Sequence, residues 1–147
     1  PMLSLLQEEL KVAMKAKDKA TLTGLRNIIG KLKARQIDKG EILSENESIK
    51  ILHSSAKQLK DSIEQFKKSG REDLVKKEEF ELILIEKYLP EQMSIDDVRI
   101  AVQKTIESTG AKSIQDLGRV MGMTMKKLAG SADGKIVQKI VQEELGL

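Results

Sequence analysis

The sequence lacks cysteine and tryptophan, and it has one histidine and two prolines among its 147 residues. Without cysteine there is no disulfide framework, no thiolate zinc site and no cysteine nucleophile. The single histidine, His53, excludes a site built from several histidines, and a Ser-His-Asp triad would depend on it alone. No glycine-rich phosphate loop follows a predicted strand. The sequence therefore predicts no catalytic residue, no metal site and no cofactor.

Aromatic residues are also scarce, since Phe66, Phe80 and Tyr88 are the whole set. Three aromatics exclude the base-stacking platforms of most single-strand binders. No apolar run approaches the roughly 18 residues of a membrane span. The first residues lack the basic-then-apolar pattern of a secretory leader. We therefore expect no membrane association and a cytoplasmic location, with which the absence of cysteine is compatible.

The residues that are abundant favour helices, and apolar positions recur at helical spacing in the first part of the chain. A capping box formed by Ser4 and Gln7 predicts helix 1 over 5–17. Asp18 is the expected N-cap of helix 2, and Gly40 is its expected end. The apolar positions expected to face the core are Leu6, Leu10 and Met14 in helix 1 and Leu22, Leu25, Ile29 and Leu32 in helix 2.

The next two helices are predicted to form a long antiparallel hairpin. Ser44 and Glu47 make a second capping box, after which a seam with spacings of three and four runs to Gly70. Ser69 and Glu72 are expected to open helix 4, which Pro90 ends because proline lacks the backbone N–H. The seam of helix 3 comprises Ile49, Leu52, Ala56, Leu59, Ile63 and Phe66. Helix 4 carries Leu74, Val75, Phe80, Ile83, Leu84, Tyr88 and Leu89.

The segment from Pro90 to Met93 is the expected domain boundary, because six of the ten glycines follow it. Capping by Ser94 predicts helix 5 over 94–108, and capping by Ser113 with Asp116 predicts helix 6 up to residue 128. Helix 7 is expected over 134–144. The sequence thus predicts an all-α protein, with a four-helix N-terminal domain over 1–93 and a small three-helix domain over 94–147.

Basic residues concentrate in two segments. Residues 11–39 contain nine basic and two acidic side chains, an excess of seven positive charges. On helix 2, Lys31, Arg35 and Lys39 form one ridge, while Arg26 lies along the other border of the apolar stripe with Lys19 and Lys33. Such a face either binds phosphates or is a solvated helix surface whose lysines extend over the core edge.

The second basic segment, residues 112–139, contains six basic and two acidic side chains. Within it, Gly118 and Gly122 are four residues apart, so they form a ridge without side chains. Each glycine costs a helix about 0.5–1 kcal/mol relative to alanine, which indicates either close packing of another helix or close approach of a ligand. The basic residues expected beside this ridge are Arg119, Lys126, Lys127, Lys135 and Lys139.

Three motifs in this order give the chain a resemblance to a known family. They are Tyr88-Leu89-Pro90-Glu91-Gln92, Asp116-Leu117-Gly118-Arg119-Val120-Met121-Gly122, and Gly130-Ser131-Ala132-Asp133-Gly134. With them, essentially the whole chain resembles the YqeY family, the stand-alone relatives of the C-terminal tail of GatB. GatB is a subunit of the glutamine-dependent aspartyl/glutamyl-tRNA amidotransferase, in which that tail is associated with tRNA recognition.

The resemblance implies an all-helical protein and, by transfer from GatB, a carbon–nitrogen ligase with glutamine as amido donor. The chain lacks the Ser-Ser-Lys setting of an amidase and the cysteine of a glutaminase, so we expect no catalysis by the chain alone. Three hypotheses remain: a non-catalytic binder of structured RNA, foremost tRNA; an accessory protein of tRNA-dependent amidation; and a protein-interaction module using the helix 3–4 hairpin. The predicted RNA-binding residues are Gly118, Arg119, Gly122, Lys126, Lys127, Lys135 and Lys139, with Arg26, Lys31 and Arg35 as a second surface.

Overall fold

A computed structural model describes residues 1–128 and 130–147 and confirms the all-α prediction. The described residues form seven α-helices, one short 3₁₀ turn and no strand. The helices are α1 (Met2–Lys15), α2 (Lys19–Lys39), α3 (Glu45–Lys68), α4 (Glu72–Glu86), α5 (Ile95–Thr109), α6 (Leu117–Leu128) and α7 (Gly134–Glu144). Contacts divide the chain into two compact units, Pro1–Leu89 and Pro90–Leu147.

In the N-terminal unit α1 packs on α2, and α3 and α4 form an antiparallel hairpin that also contacts α2. The core is built from fully buried residues of all four helices: Leu6, Leu25, Ile28, Leu32, Leu52 and Ile85. The α3 seam from Ile49 to Ile63 is buried inside this unit. This part of the seam therefore packs within the unit, and the interaction-module hypothesis stays a prediction for the rest of the hairpin.

Two predicted helix starts in this unit are confirmed by their hydrogen bonds. The Asp18 carboxylate accepts from the backbone N–H of Thr21 at 3.1 Å. At the start of α3 the hydroxyl of Ser44 accepts from the N–H of Glu47, whose carboxylate accepts from the N–H of Ser44. Glu47 also accepts from the Lys39 ammonium group. Hydrogen bonds from Lys39 and from Ser44 lower the pKa of Glu47 from 4.5 to about 2.

The depressed pKa of Glu47 predicts a loss of stability in acid. A carboxylate whose folded-state pKa lies below its unfolded value stabilises the fold fully above the unfolded pKa, near 4.5, and this contribution disappears as the pH falls towards 2. We expect Glu47→Gln to lower the urea midpoint at pH 7 and to match the parent chain more closely at pH 2. Glu45→Gln, which changes an exposed carboxylate in the same turn, is the control. An equal midpoint difference at both pH values would contradict this prediction.

The predicted start of helix 1 is wrong, because α1 begins at Met2 and Ser4 lies inside its first turn. Burial explains the earlier start: Met2 packs into the core together with Leu6, one turn further on. Met14, expected in the core, is exposed, and Ala13 is buried in its place. A helix that began after Ser4 would not include Met2, and Met2 would then not lie one helical turn before Leu6.

Helix 4 also differs from its prediction at both ends. The Ser69 hydroxyl donates to the carbonyl of Phe66 and so closes α3, whereas α4 begins at Glu72 without a side-chain cap. Its last helical residue is Glu86, before Pro90 is reached. The predicted core residue Ile83 is exposed, and Ile85, which the predicted stripe omitted, is fully buried.

Two glycines of α2 are expected to respond oppositely to alanine. A Cβ atom at Gly24 would lie 2.5 Å from Cδ2 of Leu84 on α4, whereas a Cβ at Gly30 would meet nothing within 4 Å. Gly30→Ala should stabilise the chain by about 0.5–1 kcal/mol, since alanine suits a helix interior better. Gly24→Ala gains the same stabilisation from helix propensity, but the new methyl group must displace Leu84. Such overpacking costs about 1–3 kcal/mol. Urea unfolding of both variants should give shifts of opposite sign, and two stabilised variants would contradict the close approach.

The C-terminal unit is a three-helix arrangement in which α5, α6 and α7 all contact one another. Its fully buried core consists of valines and two threonines: Val98, Val102, Val120, Val137, Val141, Thr105 and Thr124. The Arg99 guanidinium donates to Glu143 at 2.8 Å and to Glu144 at 2.9 Å, which joins α5 to α7. The predicted cap at Ser94 is confirmed, because its hydroxyl accepts from the N–H of Asp97.

The predicted capping box of Ser113 and Asp116 is confirmed, although the turn that it opens is 3₁₀ rather than α-helical. A 3₁₀ turn spans Ile114–Asp116, and α6 begins only at Leu117. The Asp116 carboxylate accepts from the backbone N–H groups of Lys112 and Ser113, which closes the preceding turn. Helix α7 has the predicted bounds, and Asp133 caps it by accepting from the N–H of Lys135.

Candidate nucleic-acid interface

The outward face of α6 carries most of the predicted binding residues. Val120, Thr124 and Leu128 point into the core of the C-terminal unit. The residues that lie away from this buried stripe form two rows with a spacing of four. One row is Gly118, Gly122 and Lys126, and the other is Arg119, Met123 and Lys127; all six are exposed.

The glycine ridge, Gly118 and Gly122, is open. A Cβ atom built at either glycine meets no described atom within 4 Å. Close packing of another helix of this unit therefore does not account for either residue. Both have ordinary helical backbone rather than the positive φ that would require glycine. The unit thus contains an unfilled strip of helix backbone at which a second molecule can approach closely.

Helix α7 packs against α6, and its first residue lies next to the side chain of Met125. A Cβ atom at Gly134, the first residue of α7, would lie 3.7 Å from Cε of Met125. Met125 is seven residues after Gly118, so the two point to nearly the same side of α6. On α7, Lys135 and Lys139 are exposed on the face opposite the buried Val137, Ile140 and Val141. Both α6 and its neighbour α7 therefore carry exposed cations, and those of α7 lie on the side away from its buried residues.

The cations of this unit differ in their hydrogen bonding. Arg119 donates to Asp116 at 2.9 Å, one turn earlier on the chain. Backbone hydrogen bonds from Lys112 and Ser113, together with the nearby Arg119, lower the pKa of Asp116, so it stays ionised at neutral pH. The Lys127 ammonium group donates to the hydroxyl of Thr105 at 3.4 Å and so leans towards α5. Arg119 is thus held by one carboxylate and keeps other N–H donors for a ligand.

The predicted surface on α2 is divided by the structure. Lys31 lines a cleft that also contains Glu78 and Glu81, so two carboxylates share its surroundings. Arg26 and Lys31 are five residues apart, which places them about 140° apart around the helix axis. Arg35 is exposed near the end of α2. These three cations therefore do not form one positive face, unlike those of α6.

The sequence prediction did not include two residues that contribute to the α6 surface. Met123 is 39% exposed and lies between Arg119 and Lys127 in their row, where it adds an apolar contact. Asp116 orients Arg119. The sequence did contain a signal for both residues. Asp116 is three residues before Arg119 and Met123 is four residues after it, and residues at these spacings are neighbours on a helix.

Residues 1–128 and 130–147 contain neither a clustered metal site nor a helix able to span a membrane. No group of three or more histidine, cysteine or acidic side chains there is arranged to hold a metal ion. Among the helices in these residues, none combines the length and apolarity needed to cross a membrane.

The sequence profile of the YqeY-like proteins matches residues 3–145. The chain belongs to the YqeY family.

Curated relatives share the name altered inheritance of mitochondria protein 41, mitochondrial. The protein from Vanderwaltozyma polyspora is 34% identical over 136 residues, which cover 91% of this chain and 70% of the relative. The protein from Pyrenophora tritici-repentis is 30% identical over 144 residues, covering 96% and 79%. That from Saccharomyces cerevisiae strain RM11-1a is 34% identical over 136 residues, covering 90% and 70%.

The predicted cytoplasmic location is wrong, since these relatives are named as mitochondrial proteins. The prediction rested on the missing cysteine and the missing secretory pattern. Neither property distinguishes the cytosol from the interior of a mitochondrion. A chain without cysteine is compatible with any redox environment, and a secretory leader is a signal for export only.

Proposed function

We propose that this protein is a non-catalytic binder of structured RNA, with tRNA as the first ligand to test. The observation that carries the proposal is the open glycine ridge of α6 between exposed cations. Arg119 and Lys126 lie on α6 itself, and Lys135 and Lys139 lie on the neighbouring α7. At the ridge an RNA backbone can approach the helix closely, while the cations neutralise its phosphates.

The mode of binding follows from the side chains of the C-terminal unit. Residues 90–147 contain no phenylalanine, tyrosine or tryptophan. Base stacking on aromatic rings is therefore absent from this surface, and recognition depends on phosphate contacts and the shape of a folded RNA. We expect similar affinity for different tRNAs and weaker binding to a single-stranded RNA of equal length.

Titration of the full chain with labelled tRNA at several salt concentrations tests the proposal. Five phosphate contacts should give a slope of about −3.5 to −4.5 in a plot of log affinity against log salt. Absence of binding at roughly 50 mM salt, where phosphate contacts are strong, would refute it. A slope near zero would also refute it, since binding would then not involve phosphates.

Participation in amidation is a separate proposal that rests on the family resemblance. The sequence has no cysteine to serve as the nucleophile of a glutaminase. We expect no amidated product when the chain alone is incubated with charged tRNA, glutamine and ATP. Product formation under these conditions would show that the protein is an enzyme and would overturn the non-catalytic proposal.

A further inference from the structure

A polar cleft lies within the N-terminal unit, between α2, α3 and α4. Its volume is about 320 Å³. That volume falls at the lower end of the roughly 300–1,000 Å³ typical of small-molecule sites. Leu59, which is 6% exposed, contributes an apolar part of the lining. The cleft belongs to a different unit from the α6 surface, so RNA binding there does not explain it.

Charges of both signs line this cleft without neutralising one another. Lys31 comes from α2, and Glu78 and Glu81 come from α4. Among the described residues, no ion pair within 4.0 Å joins Lys31 to either glutamate. Glu81 accepts one long hydrogen bond, at 3.4 Å, from the side-chain amide of Asn27. The cleft thus presents one cation and two anions that remain largely available to a ligand.

A buried hydroxyl side chain adds to this lining. Ser55 on α3 is 4% exposed and is one of the residues that border the cleft. A serine in the middle of a helix commonly bonds to the carbonyl four residues earlier. Among the described residues no such bond joins Ser55 to Ile51, whereas the Thr105 hydroxyl donates to the carbonyl of Ala101. A polar side chain that is nearly buried and borders a cleft is a suitable partner for a hydrogen-bonding ligand.

We propose that this cleft binds a free α-amino acid with a cationic side chain, such as arginine. Such a molecule carries one negative and two positive groups, which is the complement of Lys31, Glu78 and Glu81. Its carboxylate pairs with the Lys31 ammonium group, and its two cationic groups pair with the glutamates. Because these charges are partly exposed to solvent, the dissociation constant should be on the order of 1 mM.

Three ligands separate the contributions of the charges when the full chain is titrated by calorimetry or by NMR. Arginine has all three groups, agmatine lacks the carboxylate, and citrulline lacks the charged guanidinium. Arginine should bind about tenfold more tightly than either analogue, the difference expected for one charge-assisted hydrogen bond. Equal affinity for arginine and agmatine would overturn the proposal. So would the absence of arginine binding at a concentration roughly ten times the expected dissociation constant.

Matched variants test which side chain of the cleft pairs with which charged group of arginine. Lys31→Met should abolish the preference for arginine over agmatine, whereas Glu78→Gln with Glu81→Gln should abolish the preference over citrulline. Lys33→Met, which removes an exposed cation two residues from Lys31, is the control and should change neither preference. Urea unfolding checks that each variant folds, and an equal effect of Lys31→Met and Lys33→Met would contradict the site.

Titration of Arg119→Ala with arginine distinguishes the cleft from the proposed RNA surface. Arg119→Ala should leave arginine binding unchanged, because Arg119 belongs to the other unit. If arginine binding is lost in Arg119→Ala but kept in Lys31→Met, the ligand binds elsewhere and the cleft assignment is wrong. Failure of the RNA proposal alone leaves these arginine measurements unaffected.

Discussion

Replacement of both Arg119 and Lys126 by alanine is expected to weaken tRNA binding by at least about tenfold at low salt, and to reduce the salt slope by roughly 1.4–1.8. Each lost phosphate contact removes about 0.7–0.9 from that slope, because fewer counterions are released. Both residues lie on the exposed face of α6, so their truncation leaves the core of the C-terminal unit intact. Fluorescence titrations over a series of salt concentrations would measure the affinity and the slope together.

Lys104→Ala provides the matched control, since Lys104 is an exposed cation on α5 of the same unit. The Lys104 variant should change the salt slope by less than about 0.7–0.9, which is the contribution of one phosphate contact. If the Lys104 variant and the double variant bind tRNA equally well, general positive charge rather than the α6 surface is responsible. Arg26→Ala with Arg35→Ala tests the second predicted surface, for which we expect a smaller effect because its cations do not share one face.

The glycine ridge supplies a second test with effects of opposite sign on stability and binding. Alanine at Gly118 or Gly122 meets no described atom within 4 Å, so each change should stabilise the free protein by about 0.5–1 kcal/mol. The added methyl groups should nevertheless weaken tRNA binding, since they hold the RNA backbone away from the helix. A more stable variant with unchanged tRNA affinity would show that the ridge is not the contact surface.

The second large effect concerns two neighbouring isoleucines of α4. Ile85 is fully buried, whereas Ile83 is 66% exposed. Ile85→Ala should lower the free energy of unfolding by about 2–5 kcal/mol, since it removes buried methyl groups and leaves a cavity in the N-terminal core. Ile83→Ala should change it by less than about 0.5 kcal/mol, as is usual for exposed positions. Urea unfolding measures both values.

Equal losses for the two isoleucine variants would contradict the packing of α4, because they would require Ile83 to be buried to the same extent. A destabilising Ile83→Ala variant with a neutral Ile85→Ala variant would mean that α4 is rotated from the described orientation. The comparison is informative because both residues are the same type in the same helix and have the same helix propensity.

Local chemistry explains why several elements could be predicted closely. Asp18, Ser44 and Ser94 each accept a backbone N–H at the start of a helix, so short-range hydrogen bonding decided where those helices begin. The same signal failed at Ser4 and Ser69. At Ser4, burial of Met2 extended the helix backwards, and at Ser69 the hydroxyl bonded to the preceding helix instead.

In the candidate site, too, the sequence predicted the local arrangement of residues, whereas packing decided their surroundings. Spacing alone placed Gly118, Gly122 and Lys126 in one row, because residues four apart are neighbours on a helix. Whether a helix covers the glycines depends on how α5, α6 and α7 pack, and that was visible only in the structure. The distribution of charge around Lys31 also depended on packing, since Glu78 and Glu81 are more than forty residues further along the chain.

The sequence by itself determined the helical composition, several of the caps and the absence of cysteine chemistry, since these depend on residue type and short-range spacing. Tertiary structure alone decided that Ile85 rather than Ile83 enters the core, that the glycine ridge stays open, and that a cation and two carboxylates meet in one cleft. The physical reason is that burial and charge proximity are properties of packed surfaces, which residues distant in sequence create together.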